Sequence, residues 1–313
     1  MGEALENIAR QYGEPKFLRG PSAPGWIVSV LKLPDGETVS GAGADIPTAR
    51  TSCLGEAAEY FSIQRRKDDH TFDAHDLRTG SVRKIDADRA VMSDPNDPQD
   101  LGTEGCASGE TVEHAIRGAL CETIERHVLA DWWMGNIAAH KYPDGWLIDT
   151  GLAALLRRCR VDAQANVKTE IFSLGHFAGV NVAMALSSGA GSPFTISGFG
   201  ASLDSSRAAS KAISELFQME CGAALAGLAG RQEELATIQR RSERLSTDTS
   251  LFGRETEPDA NSEPKAFNLQ KIAGKIEAVD LSRDDIGVPT FRIVSPGLKR
   301  CRPLKYSSFA APV

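Results

Sequence analysis

The sequence predicts a mixed α/β (α+β) fold in which repeated β-β-α units pack helices on mixed sheets, and three observations lead there. Strand-like runs and helical patterns are interspersed along the chain, with hairpins beside crossovers. A unit made of a glycine loop, a helix cap and an amphipathic helix recurs in one register at three places. No linker cuts the chain, so residues 1–313 read as a single domain that opens with a 1–25 N-terminal segment.

The best-marked copy of the unit is 105–127, GCASGETVEHAIRGALCETIERH. Thr111 stands where a helix cap belongs, and Glu122 and Glu125 follow on the helix. Residues three apart are separated by about 60° around a helix, so both carboxylates can face one ligand. They sit among Ala, Leu, Cys and Ile instead of beside lysines four positions on, which is not the pattern of a solvated helix face. Shifting the register back by 66 residues puts Asp45 on Thr111, Ala49 on Ala115, Leu54 on Leu120, Glu56 on Glu122 and Glu59 on Glu125. Moving 159 residues forward from that first copy gives Asp204, Ala208, Ile213, Glu215 and Gln218 at the same five places.

Taken in order, residues 4–12 form a short helix, followed by a Gly- and Pro-containing stretch to Gly25. Residues 26–33 (WIVSVLKL) alternate like a strand, and Pro34-Asp35-Gly36 turns them back into a second strand at 38–40. Pro47 lies in the opening turn of the first unit's helix, where a missing N–H costs nothing. Residues 65–100 are charged and proline-containing and read as loop with short elements; His70 and His75 among Asp69, Asp73 and Asp76 fit a solvated acidic loop better than a metal site. Trp132 and Trp133 read as packing. A helix is expected at 150–161, strands at 167–174, 180–186 and 194–199, a mobile loop at 240–265, and two last strands at 275–279 and 289–294.

Composition narrows the function classes. With 41% apolar and 25% charged residues the chain is of ordinary globular make-up, and a net charge of -7 with no basic stripe argues against a nucleic-acid surface. No signal-peptide pattern opens the chain and no run reaches a membrane span, so a cytoplasmic location without membrane contact is expected. The six cysteines show no C-x-x-C spacing and read as buried free thiols.

No phosphate loop, zinc motif or serine nucleophile motif is present. If the helices of the first two units meet, four carboxylates repel one another unless cations compensate them. Mg²⁺ is the hard cation that suits carboxylates and phosphate oxygens together, so the set makes a seat for a triphosphate. The spacing alone leaves open the alternative of two surface helices with unrelated Glu pairs.

The residues resemble the YcaO family at this point. The stretch 52–59, SCLGEAAE, is similar to its S-x3-E-x2-E motif, and 119–126, ALCETIER, to its E-x2-E-R motif after a G-x-A-x-G entry at Gly105, Ala107 and Gly109. Glu215-x-x-Gln218 resembles a later E-x-x-Q block, and Val288-Pro289-Thr290-Phe291-Arg292 through Pro296-Gly297-Leu298 resembles the closing V-P-x-x-R and P-G-L segments. The likeness extends from about Trp26 to Lys299.

The resemblance implies an ATP- and Mg²⁺-dependent enzyme that activates peptide backbone amides. It makes azolines when a Cys, Ser or Thr side chain attacks, or a thioamide when sulfur comes from outside. Ser52, Glu56, Glu59, Glu122 and Glu125 would hold ATP and magnesium, the four glutamates as metal ligands, with Arg126 and Arg292 on phosphate. Glu110 and His114 stand at two further nucleotide-site positions where the family has asparagine and glutamate, and Gly41-Ala42-Gly43 stands where it commonly has G-K-G. The resemblance designates no catalytic residue and implies a ribosomally made precursor peptide as partner, a possible leader-binding or sulfur-handling protein, and a homodimer. The proline-alternating C-terminus of many azoline-forming members is replaced by SSFAAPV. The rival reading is a divergent subunit that binds the precursor peptide or a partner enzyme with weak or no ATP use.

Overall fold

The computed structural model describes residues 2–92, 102–161, 167–189, 194–253 and 266–301. Helix α1 (Gly2–Tyr12) buries Leu5, Ile8 and Ala9, spaced three and four apart as one helical stripe requires. Strands β1 (Lys16–Gly20), β2 (Ala23–Lys32) and β3 (Thr38–Gly43) make an antiparallel three-stranded sheet, and α2 (Ile46–Ile63) packs on β2 and β3. Pro24 is accommodated near the start of β2, next to the register shift at Arg19 and Gly20, so the 13–25 stretch is a strand pair and not only loop.

Strands β4 (Thr71–Asp76), β5 (Val82–Asp86) and β6 (Cys106–Ser108) precede the central helix α3 (Val112–Trp133). After β7 (His140–Lys141) come α4 (Asp144–Asp149), which the sequence reading does not include, and α5 (Leu152–Arg160), inside the helix expected at 150–161; Gly151, at φ 75°, separates them. Then follow β8 (Lys168–Phe177), β9 (Val180–Ser188), β10 (Ile196–Ser202), α6 (Ser205–Ala229), α7 (Gln232–Thr247), β11 (Glu277–Asp280) and β12 (Thr290–Val294). A four-stranded sheet runs β10-β9-β8-β7 and a five-stranded one β5-β4-β11-β12-β6.

The mixed α/β class is the observed one, but the sheets are not mixed: every ladder among the described strands is antiparallel. Short turns such as Ala178-Gly179 between β8 and β9 permit only that pairing. The three repeats are real structural units, since α2 lies on β2 and β3, α3 on β6 and β12, and α6 on β9 and β10. In the second unit the hairpin partner, β12, arrives from far along the chain.

The repeat register survives in atomic detail. Asp45, Thr111 and Asp204 each cap their helix, accepting from the backbone N–H of Thr48, His114 and Arg207. Ala49, Ala115 and Ala208 are fully buried, as are Leu54 and Ile213, with Leu120 nearly so. A Cβ on Gly43 would approach Ala49 N to 2.7 Å, and one on Gly109 would approach the equivalent Ala115 N to 2.5 Å, so strand and helix touch backbone to backbone.

Two other expectations need correction. The acidic stretch around His70 and His75 is not a solvated loop: 71–76 is β4, inside the five-stranded sheet, and Asp69 is buried in an ion pair with Arg283 at 2.6 Å. The 240–265 mobile loop is helix α7 as far as Thr247, while 254–265 lies outside the described residues. Its few anchors are well spaced: Leu245 is buried, Ser242 Oγ accepts from Thr195 N at 2.7 Å, and Arg244 stacks 4.2 Å over Trp133. Both tryptophans are packing residues, and all six cysteines are buried and free. Among the described residues no helix is long and apolar enough to cross a membrane.

Candidate functional site

The three repeat helices present their acid positions to one cleft of about 650 Å³. Ser52, Glu56 and Glu59 reach it from α2, Glu122 and Arg126 from α3, and Lys211, Ser214, Glu215 and Gln218 from α6. Repeat geometry brings them together: each helix lies on its own antiparallel strand pair with the same face down, so equivalent positions converge.

The carboxyls are anchored by backbone as well as by helices. Glu59 Oε1 accepts from Ser108 N at 2.8 Å, and Glu215 Oε2 from Phe199 N at 2.7 Å. Glu122 takes a backbone hydrogen bond from Gly105. Gln218 Nε2 donates to Ser40 Oγ at 2.5 Å, joining the third repeat to the first.

Their electrostatics separate them from every other buried acid. Glu277 is held at 2.5 Å by Arg83, Glu220 at 2.6 Å by Arg160 and Asp69 at 2.6 Å by Arg283, one arginine to each carboxylate. The arginine contact lowers the pKa of Glu277. In the cleft the balance is reversed. Burial pushes Glu56 up to about 6 even though water reaches its tip, because protein encloses the cleft around it. Burial raises Glu122 to about 8 and Glu215 to about 7 against the pull of Arg126, and burial plus the charge of Glu56 lifts Glu59 well above the ordinary range. Glu125 is raised by burial too. Burial works against the charge of Arg126, but Glu125, Glu122 and Glu215 outweigh it and raise its pKa. The carboxyls call for more positive charge than the protein supplies.

Arg126 has hydrogen-bonding capacity that the protein leaves unused. Its nearest carboxylate oxygens lie 3.6 Å away on Glu125 and 3.9 Å away on Glu122, and its Nε and Nη1 are buried without a hydrogen-bond partner. A phosphate oxygen would satisfy both donors. Among the described residues no three acid, histidine or cysteine side chains make a protein-only metal cage. That suits Mg²⁺, which keeps waters and takes phosphate oxygens beside one or two carboxylates.

Not every position implied by the sequence lies here. Glu125 is buried behind the cleft wall, next to Arg126. Arg292 is 1% exposed on β12, donates to Gly102 O at 2.5 Å and stands beside Cys106 in the sheet; it is buried next to the cleft and is not among the residues that line it. Glu110 is exposed ahead of α3, outside the cleft. His114 faces a neighbouring groove. Conversely Lys211, Ser214, Glu37 and Tyr60 line the cleft without having been singled out. Lys211 had a signal: it is 159 residues beyond Ser52, at the same place in the repeat.

The sequence matches the YcaO family, described as YcaO cyclodehydratase, ATP- and Mg²⁺-binding, over residues 71–299. Among solved structures the fold is similar to a YcaO from Methanopyrus kandleri bound with AMPPCP and Mg²⁺, with a TM-score of 0.74 at 19% identity over 95% of this chain and 90% of that one. It is similar also to a heterocyclase in complex with substrate and cofactor, with a TM-score of 0.70 at 16% identity over 95% of this chain and 52% of the other. A third likeness is to a chain of the E. coli microcin synthetase McbBCD complex with pro-MccB17 bound, TM-score 0.66, 15% identity, 91% and 88% covered. No curated protein matches in sequence.

Proposed function

The chain belongs to the YcaO family, and on that premise we propose that it uses ATP and Mg²⁺ to activate backbone amides of a ribosomally made peptide, cyclising Cys, Ser or Thr side chains to azolines. One observation carries the reading: Glu56, Glu59, Glu122 and Glu215, from three repeats, share a cleft with a guanidinium that has two unsatisfied donors. When bound, ATP supplies a phosphoryl group that turns the amide oxygen into a leaving group, and Mg²⁺ offsets the charge on the phosphates.

The chain's own residues bind and orient. Glu56, Glu59, Glu122 and Glu215 would hold Mg²⁺, one or two of them to each ion, releasing to solvent the protons that burial favours on them. Arg126 Nε and Nη1 would take a phosphate oxygen, with Glu125 keeping the guanidinium in place from behind. Ser52 and the Ser40-held Gln218 add neutral polar groups to the wall. Lys211 brings to the cleft a cation that Ala42 does not.

Incubation of the protein with Mg-ATP and Cys-, Ser- or Thr-rich peptides tests this by mass spectrometry. The expected products are ADP, phosphate and a peptide lighter by one water. An oxygen-for-sulfur exchange in the presence of a sulfur-handling partner would assign the thioamide branch instead. A second reading, a peptide-binding subunit with weak ATP use, is favoured by Ala42, by the exposed Glu110 and by His114 standing outside the cleft. Calorimetry separates the two: no heat with Mg-ATP but clear binding of a precursor peptide would select the subunit. A precursor peptide, a leader-binding partner and a homodimer complete the proposed assembly.

A further inference from the structure

Beside the acid cleft runs a second groove of about 860 Å³ with the opposite charge. One wall is the α3 stripe His114, Arg117, Gly118 and Cys121; the other is the α6 stripe Asp204, Arg207, Ser210 and Lys211, with the end of β10 closing one side. Lys211 lines both this groove and the acid cleft, so the two adjoin at that residue. Within a chain of net charge -7, three cations and a histidine face one opening here. Asp204, the acid in the lining, is occupied as a cap, accepting from Arg207 N at 2.7 Å and Ser206 Oγ at 2.6 Å. Arg117 meets Glu113 at 2.9 Å on the exposed side of α3, and neither Arg207 nor Lys211 makes a salt bridge among the described residues.

We propose that this groove seats an acidic segment of the peptide substrate, with Arg117, Arg207 and Lys211 reading its carboxylates while the neighbouring residue enters the acid cleft. The inference rests on the peptide-amide reading of that cleft. Charge complementarity names the occupant: the acid cleft needs cations, whereas this groove needs an anion that arrives with the substrate. Dimensions agree, because each stripe spans eight positions, a rise of about 10 Å, the length of about three residues of extended peptide. Gly118 on one wall, Ser210 on the other and Ser202 at the closed side are small, which leaves room for a backbone between the arginines.

The test is fluorescence anisotropy on the full chain without nucleotide, using three labelled peptides of equal length that carry aspartates, asparagines or lysines around one cysteine. The acidic peptide is expected to bind at least about tenfold more tightly than the neutral one, with an advantage that shrinks as salt rises. Exchanging both arginines, Arg117→Glu with Arg207→Glu, should move the preference to the lysine peptide and leave Mg-ATP binding by calorimetry unchanged. Ser210→Glu, which keeps the arginines and adds a negative charge to the α6 wall, should weaken the acidic peptide alone. Equal affinity for all three peptides overturns the proposal, as does a charge exchange that weakens Mg-ATP and spares the acidic peptide. If Mg-ATP fails to bind wild-type protein while the acidic preference holds, the nucleotide reading fails and the groove assignment stands.

Discussion

Glu59 on α2 accepts a hydrogen bond from the backbone N–H of Ser108 on β6 at 2.8 Å, so a carboxyl of the first repeat is fastened to the strand of the second. Gln218 does the same between the third repeat and the first through Ser40. The cleft is thus tied together by groups that also face it, and changes to them have structural and functional parts that can be separated. Glu59→Gln keeps an acceptor for Ser108 N and removes the charge; Glu59→Ala leaves that N–H unpaired, at a cost of about 1–3 kcal/mol. Denaturant unfolding should find the alanine variant destabilised by that amount and the glutamine variant close to wild type, with metal-dependent stabilisation reduced in both.

Glu56→Gln and Glu122→Gln remove a carboxylate from each of two walls. Steady-state assay should find nucleotide-dependent turnover reduced by about 100-fold or more in both, as expected when a charge meant for a metal-bound phosphate is lost. Circular dichroism should be unchanged. Wild-type turnover in both variants would remove these residues from the site.

Stability should depend on pH with an unusual sign. Glu122 is raised from 4.5 to about 8 in the folded chain, with burial as the main cause, and Glu215 to about 7. A carboxyl raised on folding contributes stability that is fully present below its unfolded pKa and lost as pH rises through the folded one. Without divalent ions the melting temperature should therefore fall from about pH 5 to about pH 8, a window set by these shifts. Mg²⁺ should restore more at the upper end, where the carboxylates it binds are ionised. Scanning calorimetry with EDTA and with Mg²⁺ checks both halves, and Glu122→Gln should flatten the slope.

The repeat carried most of what was legible in the sequence. Three caps, each followed by an alanine and then a leucine or isoleucine at fixed spacing, located the starts of α2, α3 and α6 and, Glu125 apart, their acid positions share one cleft. What repetition cannot express was lost. The second unit takes its partner strand β12 from about 180 residues away, and no local pattern announces a contact of that separation. Helix α7 was read as loop because its polar residues outnumber its anchors, although Leu235, Ile238, Ser242 and Leu245 keep helical spacing. The motif puts Arg292 on phosphate but does not record its burial beside Cys106, which is a matter of sheet order. Lys211 escaped because it differs in type from Ser52, its counterpart.

Arg126 separates charge from geometry. It is a buried cation in contact with Glu122 and Glu125 and has donors to spare. Arg126→Ala leaves those acids with no cation of their own, which by precedent for broken buried pairs costs about 3–5 kcal/mol unless they take up protons. Arg126→Lys keeps the charge and loses the planar fork. Calorimetry should find nucleotide affinity reduced in both, while only the alanine variant unfolds at clearly lower denaturant at a pH well above the value of about 8 reached by Glu122, where protonation no longer relieves the acids. Equal stability of the two at that pH would argue that the guanidinium serves geometry alone.

The backbone contact between strand and helix in the third repeat is testable by a pair of glycines on the same unit. A Cβ at Gly200 would lie 2.5 Å from Ala212 N, and because the obstacle is backbone no side chain can turn aside. Gly200→Ala must push α6 off β10, which overpacking precedent puts at about 1–3 kcal/mol or more. Gly222, farther along α6, meets nothing within 4 Å, so Gly222→Ala should gain about 0.5–1 kcal/mol from helix propensity alone. Urea unfolding of the two variants should therefore shift in opposite directions. Since α6 also delivers Lys211, Glu215 and Gln218, Gly200→Ala should lower Mg-ATP affinity as well, whereas Gly222→Ala should leave it unchanged.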